Sequence, residues 1–283
     1  MTVRLEFTKA TGAGNDFVLL NAMGGMPGAD LPQLARALCD RHFGVGADGL
    51  LVLAPSKRSD FLMLYYNADG SSGGMCGNGG RCVARFALLE GIAGPRQRFE
   101  ALGFVYRAEV APAGSVRLSM KDPAGLRTGL RLSRGTGEPV DGTFIDTGAP
   151  HLVVFEDDLE RLDVARLGRA LRLDPSFAPE GTNVNFVSPE GGSTIRIRTY
   201  ERGVEAETLA CGTGSVASAL VASWLRNMES PVRVTVRSGE ELTVHFAREG
   251  DSWHDIALEG SAHMLFRGTA FYDPVSSRIR RSP

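Results

Sequence analysis

No apolar run in this 283-residue chain reaches the ~18 residues needed to cross a bilayer as a helix. An excess of one charge is also missing. Thirty-one basic residues stand against 33 acidic ones, and the net charge of −2 with a pI near 6.2 leaves no electrostatic footprint for nucleic acid or an anionic membrane. Cysteine is sparse, at positions 39, 76, 82 and 211, and no two are spaced as C-x-x-C, so no zinc or other metal site is expected. The opening MTVRLEFTKATG has no long apolar core of a secretory signal, and four cysteines without one read as reduced thiols in a cytoplasmic protein. Nothing is low-complexity. What remains is ordinary for a globular chain, 43% hydrophobic and 23% charged, with length enough for two lobes that each bury a core.

Against that background two cysteines stand out: Cys76 in MCGNGGRC and Cys211 in LACGTG. Each is followed by Gly, a polar residue and Gly, and each opens a mostly apolar helix-forming run. A thiol at a helix N-terminus meets the positive end of the dipole and backbone N–H groups that lack intrahelical acceptors. There its pKa can fall from about 8.5 toward neutrality, which suits proton transfer. Two such thiols facing one ligand can take a proton from one face of a carbon and return one to the other.

The cysteines lie 135 residues apart, close to half the chain, and the same offset recurs elsewhere. A shift of 136 lays TGAGNDFVLL (11–20) over TGAPHLVVFE (147–156), with Asn15 against His151. A shift of 135 lays GADGLLV (46–52) over GTNVNFV (181–187), and FLMLYYN (61–67) over RIRTYER (196–202). So long a period indicates two homologous lobes rather than a solenoid of short repeats.

Local patterns predict strands at 3–8, 16–21, 49–54 and 61–66, and a helix over 31–42 with Asp30 as N-cap and Pro32 in its first turn. A helix from Gly77 to Glu90 follows, then a hairpin over 103–121 turning at Ala113-Gly114. The Pro/Gly-bearing KDPAGLRTG (121–129) reads as the lobe boundary, giving lobes at 1–122, to which 268–283 return, and 123–267. The second lobe repeats the order: strands near 143–146 and 147–155, helix 162–171, strands 184–188 and 194–200, and helix 212–226. Strands at 231–237, 241–247 and 253–258 complete it. GTGSVASALVASWLRN is small or apolar around most of its circumference, as an enclosed helix must be. Cys39 and Cys82 read as small core residues, and the basic C-terminal tail as solvated.

The motifs FTKATGAGNDF, DRHFGVGADG, YNADGSSGGMCGNGGR, GTNVNF, YERGVEAETLACGTG and IALEGSAHMLFRG, in that order along nearly the whole chain, resemble the diaminopimelate epimerase family. These are cofactor-independent amino-acid epimerases of bacterial lysine and peptidoglycan precursor synthesis. The resemblance implies an α/β fold of two pseudo-symmetric lobes, each a barrel-like β-sheet wrapped round a central helix, with the active site between them. It also implies interconversion of LL- and meso-diaminopimelate by two cysteines. No sequence feature marks a pyridoxal lysine, lysines are scarce (three, against 28 arginines), and no cofactor is expected. A developing carbanion would instead be stabilised electrostatically, by backbone N–H groups of Gly77-Asn78 and Gly212-Thr213 at two helix N-termini.

Carried over by position, the resemblance makes Cys76 and Cys211 the acid/base pair. Asn15, Asn67, Gly77, Asn78, Asn183, Glu201, Arg202, Gly212 and Thr213 would contact substrate, and His151 and Glu201 would also assist the thiols. Arg202, with Asn67 and Asn183, would hold the distal carboxylate, for which a guanidinium fork is the geometric match, while Glu201 would take a polar or amino group. Each has a plainer alternative: asparagines in turns cap backbone, His151 after Pro150 also suits a turn, and Asp48 and Arg81 read as structural partners. The chain departs from the family pattern at Ala149-Pro150-His151, where many members have Asn-Pro-His, at Ser261, where Pro is common, and in VEAE before Thr208, one residue longer than the short form. Asn78 stands where proline racemase-like enzymes carry His. The alternatives are racemisation of another amino acid such as histidine, or a non-catalytic homologue that binds a small ligand. The expected partner is a small amino-acid substrate, with neither nucleic acid nor membrane; a homodimer is compatible with the sequence, which does not determine assembly.

Overall fold

The structure, a computed structural model, describes residues 2–25, 27–133 and 138–280. The last residues of the basic tail, 281–283, lie outside the described residues. The chain divides into two compact units: Met1–Leu118 with Ser261–Pro283, and Ser119–Gly260. Both are sheet-dominated α/β structures.

The first unit runs β1 (Val3–Gly12), β2 (Asn15–Asn21), α1 (Leu31–Cys39), β3 (Gly49–Ala54), β4 (Phe61–Asn67), α2 (Gly77–Leu89), β5 (Arg96–Ala101), β6 (Phe104–Val110) and β7 (Ser115–Ser119). The second runs β8 (Ala124–Leu132), β9 (Val140–Asp146), β10 (Pro150–Phe155), α3 (Val164–Arg172), β11 (Asn183–Gly191), β12 (Thr194–Glu201), β13 (Ala206–Thr208), α4 (Gly212–Arg226), β14 (Val232–Thr235), β15 (Glu241–Glu249) and β16 (Ser252–Ser261). The chain then returns to the first unit as β17 (His263–Asp273), paired antiparallel with β1, and β18 (Arg278–Arg280).

Pairing repeats step for step. β1–β2 are antiparallel, β2–β3 parallel, β3–β4 antiparallel, β4–β5 parallel, and β5–β6 and β6–β7 antiparallel. The series β9–β10–β11–β12–β14–β15–β16 has the same alternation of directions. In each unit the parallel pairs are bridged by helices, as parallel strands require a crossover. α1 covers one sheet face through Leu31, Leu34, Ala35 and Leu38, an apolar stripe at helical spacing. α3 does the same through Val164, Leu167 and Leu171.

The other crossover helices are enclosed. α2 packs against β1, β2, β3, β6 and β17, and α4 against β9, β10, β11, β12, β14 and β15. Every residue of α4 from Gly214 to Ser223 is buried, so its sequence needs no polar face. Cys39 and Cys82 are core residues at 2% and 0% exposure, and burial pushes the Cys39 thiol up to about 12.

Three differences from the sequence reading have local causes. α1 stops at Cys39, not residue 42, because the Asp40 carboxylate accepts from the His42 and Phe43 N–H groups while Val45 and Gly46 donate to the Leu38 carbonyl. The segment read as a boundary holds a strand, β8, whose pattern was hidden by register shifts at Ala124/Arg127 and Arg127/Leu130 and by Gly125 and Gly129 at positive φ. β5 and β17 were not predicted either. β17 exposes Leu265, Phe266 and Arg267 in succession, which breaks the alternation by which a half-buried strand is recognised.

Candidate active site

In the first unit, Cys76 is the N-cap of α2, in extended backbone at φ −106°. Its sulfur accepts the Gly79 N–H at 3.4 Å, the bond a capping side chain makes, and its thiol donates to Asn15 Oδ1 at 3.5 Å. Asn15 begins β2, and its amide is oriented from behind: Nδ2 donates to the Asp48 carboxylate at 2.6 Å. A carboxylate can only accept, so the amide oxygen faces the sulfur. Asp48 in turn pairs with Arg41 at 2.8 Å, and Arg41 also bonds Asp16, which the buried Lys9 meets at 2.6 Å. Burial would push the Asp16 carboxyl up, but the hydrogen bonds from Arg41 and Lys9 outweigh it and hold Asp16 at about 2.

Other first-unit candidates serve the local backbone or each other. Asn78 is 1% exposed, and its Oδ1 accepts from Arg81 Nη2 at 3.0 Å. Arg81 is wholly buried and also reaches the Gly77 and Ser261 carbonyls, bracing the first turn of α2. Gly77 is the first residue of that helix. Asn67, at the end of β4, donates to Ser71 Oγ at 2.9 Å across the turn that holds Asp69-Gly70.

In the second unit, Cys211 caps α4 in matching extended backbone, at φ −120°, but its side chain makes no capping bond. Its sulfur lies 3.5 Å from Thr213 Oγ1, in the first turn after Gly212. The same hydroxyl oxygen is 2.9 Å from His151 Nε2, and His151 Nδ1 is 3.0 Å from Asn185 Nδ2. His151 is fully buried on β10. Burial, and secondarily the positive charge of Arg202, push it down to about 3, so the ring is neutral at neutral pH.

Asn183 ties two backbones together: its Oδ1 accepts the Arg202 N–H and its Nδ2 donates to the Pro150 carbonyl, both at 2.9 Å. That fixes the segment from which Arg202 projects. The Arg202 guanidinium is about a third exposed; it donates to the Glu180 carbonyl at 3.5 Å and lies 3.8 Å from the Glu180 carboxylate. Glu201 accepts from Thr208 Oγ1 at 2.6 Å. In the following turn Glu205 has φ +59° and its N–H is bonded to the Glu201 carbonyl.

The sequence reading missed Lys9, Asp16 and Arg41 behind Asn15, and Asn185 and Thr199 behind His151. Asn185 had a legible signal: it stands two residues from Asn183 on one strand, hence on the same face. Among the described residues, no group of three or more His, Cys, Asp or Glu side chains is placed to hold a metal ion, and no helix is long and apolar enough to cross a membrane.

The family model described as diaminopimelate epimerase matches residues 7–125 and, a second time, residues 143–265. The chain belongs to the diaminopimelate epimerase family. It is 43% identical over 276 residues to a diaminopimelate epimerase from Aquifex aeolicus, covering 93% of this chain and 97% of that protein. It is 46% identical over 262 residues to one from Chlorobaculum tepidum, covering 92% and 98%. Among solved structures, a phenazine biosynthesis protein of the PhzF family from Bacillus anthracis superposes with a TM-score of 0.75 over 94% of this chain and 98% of that one. At 12% identity that likeness concerns the fold alone. The double match agrees with the repeated pairing order: two similar lobes, each a sheet wrapped round a central helix.

Proposed function

We propose that this chain interconverts LL- and meso-diaminopimelate by proton exchange at Cα between two thiols, Cys76 and Cys211, without a cofactor. One sulfur, as thiolate, takes the α-proton. The electron pair left on carbon delocalises into the adjacent carboxylate, and the other thiol returns its own proton to the opposite face. The protonation states of the two sulfurs are exchanged at the end, and the reverse reaction uses them in the opposite roles. The observation that carries this reading is that each half of a family member caps its enclosed helix with a cysteine. The first-turn N–H groups and dipole of such a helix favour negative charge, on the sulfur and on the substrate carboxylate alike.

Arg202 is assigned the distal carboxylate. Its backbone is held by Asn183, and its guanidinium already has the Glu180 carboxylate at 3.8 Å, a weakly held partner that a substrate carboxylate can replace. Asn67 and Asn183 are assigned to the distal carboxylate with Arg202; Asn15 and Glu201, with the backbone of Gly77, Asn78, Gly212 and Thr213, are assigned to the rest of the substrate, and His151 to the thiols. The deciding experiment incubates purified protein with LL-diaminopimelate in deuterium oxide, without added cofactor. Deuterium at Cα together with meso product supports the proposal; meso product that appears only on addition of pyridoxal phosphate overturns it.

Ala149, standing where many relatives carry Asn, favours a second reading in which a different amino acid is racemised. Histidine and glutamate assayed beside diaminopimelate separate the two. A cytoplasmic location belongs to the first reading and is measured by cell fractionation; sedimentation of the purified chain measures whether it forms a homodimer.

A further inference from the structure

The Thr213 hydroxyl has one hydrogen to give, and two groups lie within reach of it: His151 Nε2 at 2.9 Å and the Cys211 sulfur at 3.5 Å. If Nε2 lacked a hydrogen it would take the hydroxyl's, and a thiolate at Cys211 would receive none from Thr213. If Nε2 carries the hydrogen, it donates to the hydroxyl oxygen, and the hydroxyl hydrogen is left for the sulfur. Which case holds depends on the far side of the ring.

There the Asn185 amide is oriented by the Leu152 carbonyl, with which the Thr199 hydroxyl is compatible as donor. Its Nδ2 lies 3.2 Å from the Leu152 carbonyl, which can only accept, and its Oδ1 accepts from Thr199 Oγ1 at 3.0 Å. The second Nδ2 hydrogen therefore points at His151 Nδ1, 3.0 Å away, which must be the bare nitrogen. In a neutral ring the hydrogen then sits on Nε2. Asn185 and His151 are both wholly buried, so no bulk water competes for these bonds. Gly214 accounts for the approach: a Cβ there would collide with Asn185 Oδ1, so the last glycine of CGTG is needed to let the amide reach the first turn of α4.

We infer that Asn185 is a positioning residue for Cys211, setting the His151 tautomer so that the Thr213 hydroxyl donates to the sulfur. When Cys211 is protonated, the remaining lone pair on the hydroxyl oxygen can accept the S–H, so the same arrangement serves both states of an exchanging thiol. The inference rests on the reading of Cys211 as an acid/base group, but its test does not require turnover.

Nitrogen-15 NMR of the wild-type protein should show His151 with a bare Nδ1 and a protonated Nε2. Alkylation by iodoacetamide at fixed pH, read by mass spectrometry for each cysteine separately, should slow about tenfold at Cys211 in Thr213→Val and Asn185→Leu, with Cys76 unchanged. Thr213→Ser should restore the rate, and the double variant should be no slower than Thr213→Val alone. For diaminopimelate, kcat should fall with KM nearly constant. A His151 hydrogen on Nδ1, wild-type labelling of Cys211 in Thr213→Val, or additive losses in the double variant would overturn the inference. Should Asn185→Leu fail to fold, the wild-type tautomer and the Thr213 pair decide. A protein with the stated tautomer and labelling that leaves diaminopimelate untouched would defeat the proposed function and leave this inference standing.

Discussion

At corresponding places in the repeat, 136 residues apart, the first half carries Asn15 and the second His151. Asn15 is the first residue of β2 and His151 the second of β10, strands at the same place in the two pairing series, and both lead to the capping cysteine, but the bonds differ. Asn15 offers the Cys76 sulfur a hydrogen-bond acceptor, its amide oxygen, turned that way by Asp48. His151 acts at one remove, through the Thr213 hydroxyl, which can donate to the Cys211 sulfur. An acceptor favours a protonated thiol, and a donor favours a thiolate. The backbones are near copies, yet the side-chain bonds at the two sulfurs differ: Cys76 accepts the Gly79 N–H and donates to an amide oxygen, whereas Cys211 makes no capping bond and faces a hydroxyl. Duplication supplied the symmetry and side-chain substitution broke it.

The largest test of that comparison removes the sulfurs. Cys76→Ala and Cys211→Ala should each lower epimerisation by about a thousandfold or more, since one thiol cannot deliver a proton to the face opposite the one it deprotonates. Serine variants should retain elimination of HX from a halogenated substrate analogue, which needs a single base. Undiminished epimerisation in either alanine variant would show that the halves do not divide the work.

Next in size is Arg202, which belongs to the second half only; its counterpart by offset is Asn67. Arg202→Met should depress kcat/KM for diaminopimelate by about a hundredfold or more, the usual cost of truncating one member of a carboxylate pair. Cys76 and Cys211 should keep their alkylation rates. Equal losses on an amino acid without a distal carboxylate would mean that Arg202 shapes the loop rather than the specificity.

Acid should distinguish the halves more gently. Burial, ahead of the Arg202 charge, takes His151 from 6.5 to about 3, so the unfolded chain gains a proton that the folded second half refuses. The stability this lends is complete above pH 6.5 and is lost progressively as pH falls toward 3. His151→Gln, followed by denaturant unfolding between pH 7 and 4, should flatten that loss, whatever it does to activity. An unchanged pH dependence would show that His151 is solvated.

The smallest effect belongs to the first half. Arg41 and Lys9 overcome the burial of Asp16 and lower it from 3.8 to about 2, so its contribution is present above pH 3.8 and disappears as pH falls through 2. Asp16→Asn should cost about 1–2 kcal/mol at pH 7 and progressively less below pH 4, read from denaturant midpoints. A constant deficit down to pH 2 would assign the loss to packing rather than charge.

The sequence alone determined the features that depend on neighbours along the chain. The two capping cysteines, the apolar stripe of α1, the all-round apolar α4 and the period of the duplication are patterns of near residues or of ancestry, and the backbone follows them directly. β8 was not legible, because bulges and two left-handed glycines break the alternation a strand shows. The polar bonds around the cysteines were not legible either. Asn15 meets Asp48 across 33 positions, and His151 meets Asn185 across 34 and Thr213 across 62. Only the tertiary structure decides whether an asparagine presents its oxygen or its nitrogen, and to what. An amide is satisfied by the partners that strand register brings within about 3 Å of it, and register is a property of the assembled sheet.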